Sequence, residues 1–147
     1  MYAKKIKYKD FDGVEREETF YFNLMESELM EMESSMKGGL TEYGKRIIEC
    51  REVPEIMALF KKLILITYGE KSPDGKFFIK DDPTRGHLAD YFAQTNAFSA
   101  LYMEFLEKPE EAIKFYNEVI PAEVRERAEQ AEKAEGGHAY PPAVAKV

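Results

Sequence analysis

A strand, turn and strand pattern at the start of the chain limits the possible folds more than any other segment does. Residues Tyr2 to Phe22 alternate as strands do, around the turn cluster Asp10 to Gly13. Glycine adopts positive φ without steric cost, so Gly13 suits the tightest position of such a turn. The pattern therefore predicts a β-hairpin.

The charges of the two strands select the register of this hairpin. A two-residue loop would place Lys9 opposite Arg16, which is repulsive, whereas a three-residue loop pairs Lys9 with Glu15 and Lys7 with Glu17. The second register also puts five large apolar side chains on the other face: Tyr2, Ile6, Tyr8, Phe20 and Phe22. We therefore predict the three-residue loop, with Gly13 as the left-handed residue of a bulge.

Helical signals dominate the sequence after the hairpin. An Asx cap at Asn23, followed three residues later by Glu26, predicts a helix that runs to Gly38-Gly39. Further helix starts are predicted at Leu40, Pro54, Asp82-Pro83, Thr95 or Asn96, and Pro109. We place Tyr91 and Ile113 on apolar helix faces, Gly69 just after a helix end, and a small strand or an extended connector at Lys76 to Lys80. The fold class is α+β, an N-terminal antiparallel β-hairpin followed by a mainly α-helical bundle.

The length of 147 residues predicts a single domain with a short appendage. Residues 1–121 carry the hairpin and the apolar helical patterns. From Ala122 large apolar residues become rare, and Gly136-Gly137 and Pro141-Pro142 follow. We therefore predict that residues 122–147 form a weakly packed helical extension and a disordered tail.

Charge and hydropathy restrict the partners. The net charge of −7 argues against nucleic acid, whose phosphates are bound by basic side chains. No stretch of about 18 apolar residues predicts a membrane span, and no apolar segment follows the basic residues near Met1, so we expect a soluble, cytoplasmic protein. The single cysteine, Cys50, excludes an internal disulfide framework.

No catalytic, metal or cofactor site is predicted. His87 and His138 lack neighbouring ligands at a metal-binding spacing, and Cys50 has no partner histidine near it in the sequence. The two glycine-containing turns, at Gly38-Gly39 and at Asp74-Gly75, do not have the spacing of a phosphate-binding loop.

A methionine-rich stripe on the first predicted helix is the best candidate for a binding surface. It consists of four residues at helical spacing: Met25, Leu29, Met32 and Met36. Methionine adapts to varied apolar partners, so the stripe suits an apolar segment of another protein. Alternatively it packs on the apolar face of the hairpin, with Met30 off the stripe and more exposed.

The order of several short segments resembles the small tail assembly chaperones of long-tailed, siphovirus-type bacteriophages of Gram-positive hosts. The segments are Lys5 to Tyr8, Asp12 to Glu17, Phe20 to Leu24, Glu28 to Glu33, Gly38 to Leu40, Tyr68 to Ser72, Asp74 to Lys76 and Phe98 to Glu104. The likeness spans Tyr2 to Pro121 and does not include the segment from Ala122. Two residues depart from it: Met25 stands where a Ser or Thr cap is expected, and Gly86 where a better helix former is expected.

The resemblance implies a non-enzymatic chaperone that works in the cytoplasm of the infected bacterium and is absent from the mature virion. Such proteins bind and solubilise the tape measure protein and help to recruit tail tube subunits; self-association is compatible with this role. We predict that the client surface is formed by Met25, Leu29, Met30, Met32 and Met36. The alternative function is that of a structural virion protein, a tail or head-tail completion subunit.

Overall fold

The structure is a computed structural model, and it describes residues 1–35 and 53–120. Two strands, β1 (Tyr2–Lys9) and β2 (Glu15–Phe22), precede helices α1 (Glu26–Ser35) and α2 (Val53–Thr67). Four short strands follow: β3 (Tyr68–Lys71), β4 (Phe78–Ile79), β5 (Asp81–Asp82) and β6 (Gly86–His87). Three helices complete the described part, α3 (Leu88–Phe92), α4 (Asn96–Glu107) and α5 (Pro109–Val119). An N-terminal antiparallel strand pair followed by helices confirms the predicted α+β class.

The N-terminal hairpin has the predicted register. Lys9 lies opposite Glu15 and Lys7 opposite Glu17, and the backbone N–H of Asp10 donates to the Val14 carbonyl at 2.9 Å, which closes a three-residue loop. Gly13 has a φ of 81°, as its bulge position requires. The observed pairing thus satisfies both the charges and the shared apolar face of the two strands.

The sheet is larger than the sequence predicts, because β3 and β4 extend it in the order β1-β2-β3-β4. Phe22 pairs with Tyr68 and Tyr21 with Gly69, both antiparallel. The prediction of Gly69 as the residue after a helix end is therefore wrong: α2 ends at Thr67 and Gly69 lies within β3. A β-carbon on Gly69 would lie 2.4 Å from Cε2 of Phe78, so glycine is needed here because the Phe78 ring covers the strand.

The helix predicted to start at Asp82-Pro83 is also corrected. Oδ1 of Asp82 accepts the backbone N–H groups of Thr84 and Arg85 at 2.8 and 2.9 Å, as a helix cap would. These bonds instead close the turn between β5 and β6, and the helix begins only at Leu88. Gly86 has a φ of 83° in β6, which explains a glycine where a helix former is expected.

The starts of α1, α2, α4 and α5 are near their predicted positions. Thr95 rather than Asn96 caps α4, since its Oγ1 accepts the N–H of Phe98 at 3.2 Å, and Pro109 is in the first turn of α5. Helix α1 starts at Glu26, so Asn23 is not its cap. The N–H of Asn23 donates to the Thr67 carbonyl at 2.8 Å, beyond the β2–β3 pairing.

An aromatic core joins the hairpin to the helices. The Phe22 ring centroid lies 5.7 Å from that of Phe115 and 5.9 Å from those of Tyr68 and Phe92. Tyr68 and Phe92 stack with 4.1 Å between centroids, and burial raises the pKa of Tyr68 to about 12. Two residues predicted on apolar helix faces, Tyr91 and Ile113, are instead exposed.

Four predictions lie outside the described residues. They are the end of the first helix at Gly38-Gly39, the helix that starts at Leu40, the site residue Met36, and the extension and tail over 122–147. The proposed division into residues 1–121 and 122–147 thus stays a prediction.

Candidate interaction surface

Helix α1 carries most of the predicted site residues, and Glu28 fixes its first turn. Oε1 of Glu28 accepts the backbone N–H of Met25 at 2.7 Å, which is half of a capping box. Its Oε2 accepts from Nζ of Lys80 at 2.8 Å, and the same ammonium donates to the Ile66 carbonyl at 2.9 Å. The start of α1 is thus held to the end of α2 and to the segment after β4.

The structure divides the predicted stripe between core and surface. Leu29 is only 1% exposed and belongs to the core, against which the half-buried Met32 packs. Met25 is 53% exposed, because it occupies the cap position before α1 rather than a turn within it. Met30 is half-buried, less exposed than its place off the stripe suggests. The accessible part of the predicted site therefore consists of Met25 and part of Met30.

The carboxylates of α1 do not all lie on a solvated face. Glu26 and Glu31 are exposed, whereas Glu33 is 4% exposed. The spacing of the apolar residues gives no signal for this, since it assigns every glutamate of the helix to the outer face. The outer face of α1 is therefore acidic at Glu26 and Glu31 but not at Glu33.

Sequence reasoning missed a second accessible apolar group, at the tip of the hairpin. Phe11 and Val14 are both exposed there. The loop that carries them is fixed, because Oδ1 of Asp10 accepts the N–H groups of Asp12 and Val14, both at 2.9 Å. Oδ2 of Asp10 accepts from Nε of Arg16 at 2.6 Å, and this bond lowers the pKa of Asp10 below its usual range. Phe11, an aromatic residue within the predicted turn, is the sequence signal from which this surface could have been found.

A partly buried ion pair joins the hairpin to the last two helices. Lys4 lies on the same face of β1 as Tyr2 and Ile6, and its Nζ is 2.6 Å from Oε2 of Glu104 and 3.7 Å from Oε2 of Glu111. Burial raises the pKa of Tyr2, and the negative charges of Glu111 and Glu104 raise it further. The inner face of β1 is therefore lined by acidic groups at its N-terminal end.

The described residues offer little that resembles a reaction site. Within residues 1–35 and 53–120, no group of three or more His, Cys, Asp or Glu side chains could hold a metal ion. Nδ1 of His87 lies 2.7 Å from Oδ1 of Asp81, an exposed pair between β5 and β6, whereas Cys50 and His138 lie outside the described residues.

A shallow depression of about 440 Å³ lies on the hairpin, lined by Lys7, Tyr8, Lys9, Glu15, Arg16 and Glu17. No helix in the described part is long and apolar enough to cross a membrane.

Comparison with protein families gives one match that spans nearly the whole chain. The model of a family described as phage tail assembly chaperone matches residues 1–145. The chain belongs to this family. The match also covers residues 122–145, whereas the resemblance seen in the sequence spans only Tyr2 to Pro121. No curated protein and no solved structure matches the chain.

Membership in the phage tail assembly chaperone family suggests what the accessible apolar surfaces of α1 and the hairpin tip are for. A chaperone acts by binding other proteins, so the accessible apolar groups of α1 and of the hairpin tip are its candidate contact points. The family description indicates tail proteins as partners in general and a role in tail assembly.

Proposed function

We propose that this phage tail assembly chaperone binds and solubilises the tape measure protein and helps to recruit tail tube subunits around it. It acts without catalysis, in the cytoplasm of the infected bacterium, and is absent from the mature virion. The phage is a siphovirus with a Gram-positive host. The family match supports the assembly role, and the resemblance supports these finer assignments.

One observation carries the proposal: α1 presents accessible methionine on an element with a fixed start. Met25 is 53% exposed, while the bonds of Glu28 to the Met25 N–H and to Lys80 hold the helix in place. Methionine is polarisable and unbranched, so it packs on apolar side chains of varied shape. A preformed helix end loses little conformational entropy when a client binds.

The predicted site residues fall into three groups in this proposal. Met25 and the accessible part of Met30 contact the client. Leu29 and Met32 act indirectly, because they anchor α1 to the core. Met36 belongs to the proposed surface by its helical spacing alone, since it lies outside the described residues.

Co-expression with the tape measure protein of the same phage tests the proposal. We expect the wild-type chaperone to keep this client soluble and to co-elute with it in gel filtration. The double variant M25Q/M30Q should bind at least about fivefold more weakly, the effect of losing roughly 1 kcal/mol at an interface. Its melting temperature should stay within a few degrees of the wild-type value, because neither side chain is in the core.

The chain offers a matched control for this variant. Met103 on α4 is 48% exposed, close to the exposure of Met25, so M103Q makes the same chemical change on another surface. Client binding by M103Q should equal that of the wild type. If the client stays insoluble beside the wild-type chaperone, the proposed function is wrong. If M103Q weakens binding as much as M25Q/M30Q does, the proposed surface is wrong. Detection of the protein in purified particles by mass spectrometry would instead favour a structural virion subunit.

A further inference from the structure

The outer edge of β1 pairs with no other strand in the described part of the chain. The sheet order β1-β2-β3-β4 puts this eight-residue strand at one end, with β2 as its only strand neighbour in the described part of the chain. An edge strand carries a row of backbone N–H and C=O groups that can pair with an added strand.

The hydrogen-bond pattern identifies the residues of that row. The N–H of Asp10 donates to the Val14 carbonyl, so this pair is a hydrogen-bonded one. Hydrogen-bonded and non-bonded pairs alternate along an antiparallel ladder. The even-numbered residues of β1 thus bond to β2, and Ala3, Lys5, Lys7 and Lys9 direct their backbone groups outward.

A contact at one end of the strand agrees with this assignment. The carbonyl of Lys9 accepts from Nδ2 of Asn96, at the start of α4, at 2.8 Å, which it can do only if it points away from β2. Ala3, Lys5 and Lys7 are exposed, and no described residue forms a hydrogen bond to their outward backbone groups. The stretch from Ala3 to Lys7 is therefore the open part of the edge.

Charge indicates what kind of strand fits there. Lys5, Lys7 and Lys9 form a basic row on the outer face of β1 in a protein whose net charge is −7. On the β2 side Glu15 lies opposite Lys9, and Oε2 of Glu17 is 3.7 Å from Nζ of Lys7. A strand on the free side would complement the lysines in the same way with acidic residues at alternate positions.

The inner face sets the opposite requirement. Glu104 and Glu111 surround Lys4 on that face, and Glu18 accepts from the hydroxyl of Tyr8. These carboxylates would repel acidic side chains of an added strand, so its inward positions must be uncharged. A second copy of this chain does not satisfy the outer face, because two paired β1 edges would set lysines against lysines.

We propose that the Ala3 to Lys7 edge of β1 binds an extended segment of a partner protein in which acidic and uncharged residues alternate. The segment adds to the sheet as a further strand, with main-chain hydrogen bonds to Ala3, Lys5 and Lys7 and carboxylates beside the lysines. This surface involves neither Met25 nor Met30, so it does not depend on the proposed binding of the tape measure protein.

A synthetic peptide tests the proposal on the full-length protein. The probe is a peptide as long as β1, with blocked ends, in which glutamate and threonine alternate. The control peptide has the same residues with all glutamates in one block. We expect the alternating peptide to bind more tightly and to slow hydrogen exchange of the Lys5 and Lys7 amides, measured by NMR. Equal binding of both peptides, or no change in exchange at these amides, would overturn strand addition.

Matched variants separate this edge from general charge attraction. K5Q/K7Q removes two lysines from the edge, and K61Q/K62Q removes two exposed lysines from α2 with the same change in net charge. Loss of two cross-strand charge pairs should weaken peptide binding roughly twofold to thirtyfold for K5Q/K7Q, and the α2 variant should bind like the wild type. Equal weakening by both variants contradicts the proposal. So does slowing of the Lys5 and Lys7 amides by higher protein concentration without peptide, which would assign the edge to a second copy.

Discussion

Replacement of Gly69 by alanine tests whether β3 and β4 are packed as the structure shows. Gly69 lies in β3, and a β-carbon there would be 2.4 Å from Cε2 of Phe78 and 2.9 Å from the carbonyl oxygen of Ile79. Ordinary contact begins at 3.4 Å, so the Phe78 ring must retreat by about 1 Å. The Ile79 oxygen belongs to the backbone, which moves less easily than a side chain.

The expected cost follows from this overlap. Forcing an extra methyl group into packed surroundings usually destabilises a protein by about 1–3 kcal/mol. For a chain of this size each kcal/mol lowers the melting temperature by about 2–4 °C. We therefore expect G69A to melt about 2–12 °C below the wild type and to lose about 1–3 kcal/mol in the free energy of unfolding.

A double-mutant cycle with F78A identifies the cause. The assay is urea unfolding of the wild type, G69A, F78A and G69A/F78A. Removal of the ring opens the space that the new methyl group needs, so G69A should cost at least about 0.5 kcal/mol less in the F78A background, a coupling typical of residues in contact. Part of the cost should remain, because the Ile79 oxygen is still 2.9 Å away.

Gly13 provides the control for this cycle. It has a φ of 81°, and no atom lies within 4 Å of the point that a β-carbon would occupy, so G13A is destabilising through its backbone conformation alone. Its cost should be the same with and without Phe78. If the costs of G69A and F78A add to within about 0.3–0.5 kcal/mol, the Phe78 ring does not cause the cost, and the packing argument for Gly69 is refuted.

Two predictions concern pH. The bond to Arg16 lowers the pKa of Asp10 below its usual 3.8. The stability that ionised Asp10 contributes is therefore present above pH 3.8 and is lost as the pH falls through the lowered pKa. The difference in urea midpoint between the wild type and D10N should accordingly shrink below about pH 4. Burial raises the pKa of Tyr2 above its usual 10.0, so the stability from its neutral form is present below pH 10 and is lost as the pH rises through the raised pKa. Y2F should therefore resist alkaline unfolding better than the wild type, as followed by circular dichroism; equal alkaline midpoints would contradict this. A D10N difference that persists undiminished at about pH 2 would contradict the first prediction.

Local chemistry was enough for the features that depend on neighbouring residues. The hairpin register follows from charges on facing strands, and the starts of α4 and α5 follow from Thr95 and Pro109. The same logic found the right hydrogen bonds at Asp82 but the wrong element, because an Asp that accepts two following N–H groups closes a turn as well as a helix. Helical spacing could not separate the exposed from the buried residues of the predicted site, since it places Met25 and Leu29 on the same face.

The hairpin, its register and the α+β class thus follow from the order of residues alone, because alternation, opposite charges and cap residues act over a few positions. Long-range packing makes Tyr68 to Lys71 join the sheet, puts Leu29 in the core and Met25 on the surface, and leaves Tyr91 and Ile113 facing solvent. Each of these depends on which distant element covers a residue. Tyr68, for example, becomes a strand residue because Phe22 and Phe92 are there to pack against it, and neither neighbour can be inferred from the spacing around position 68.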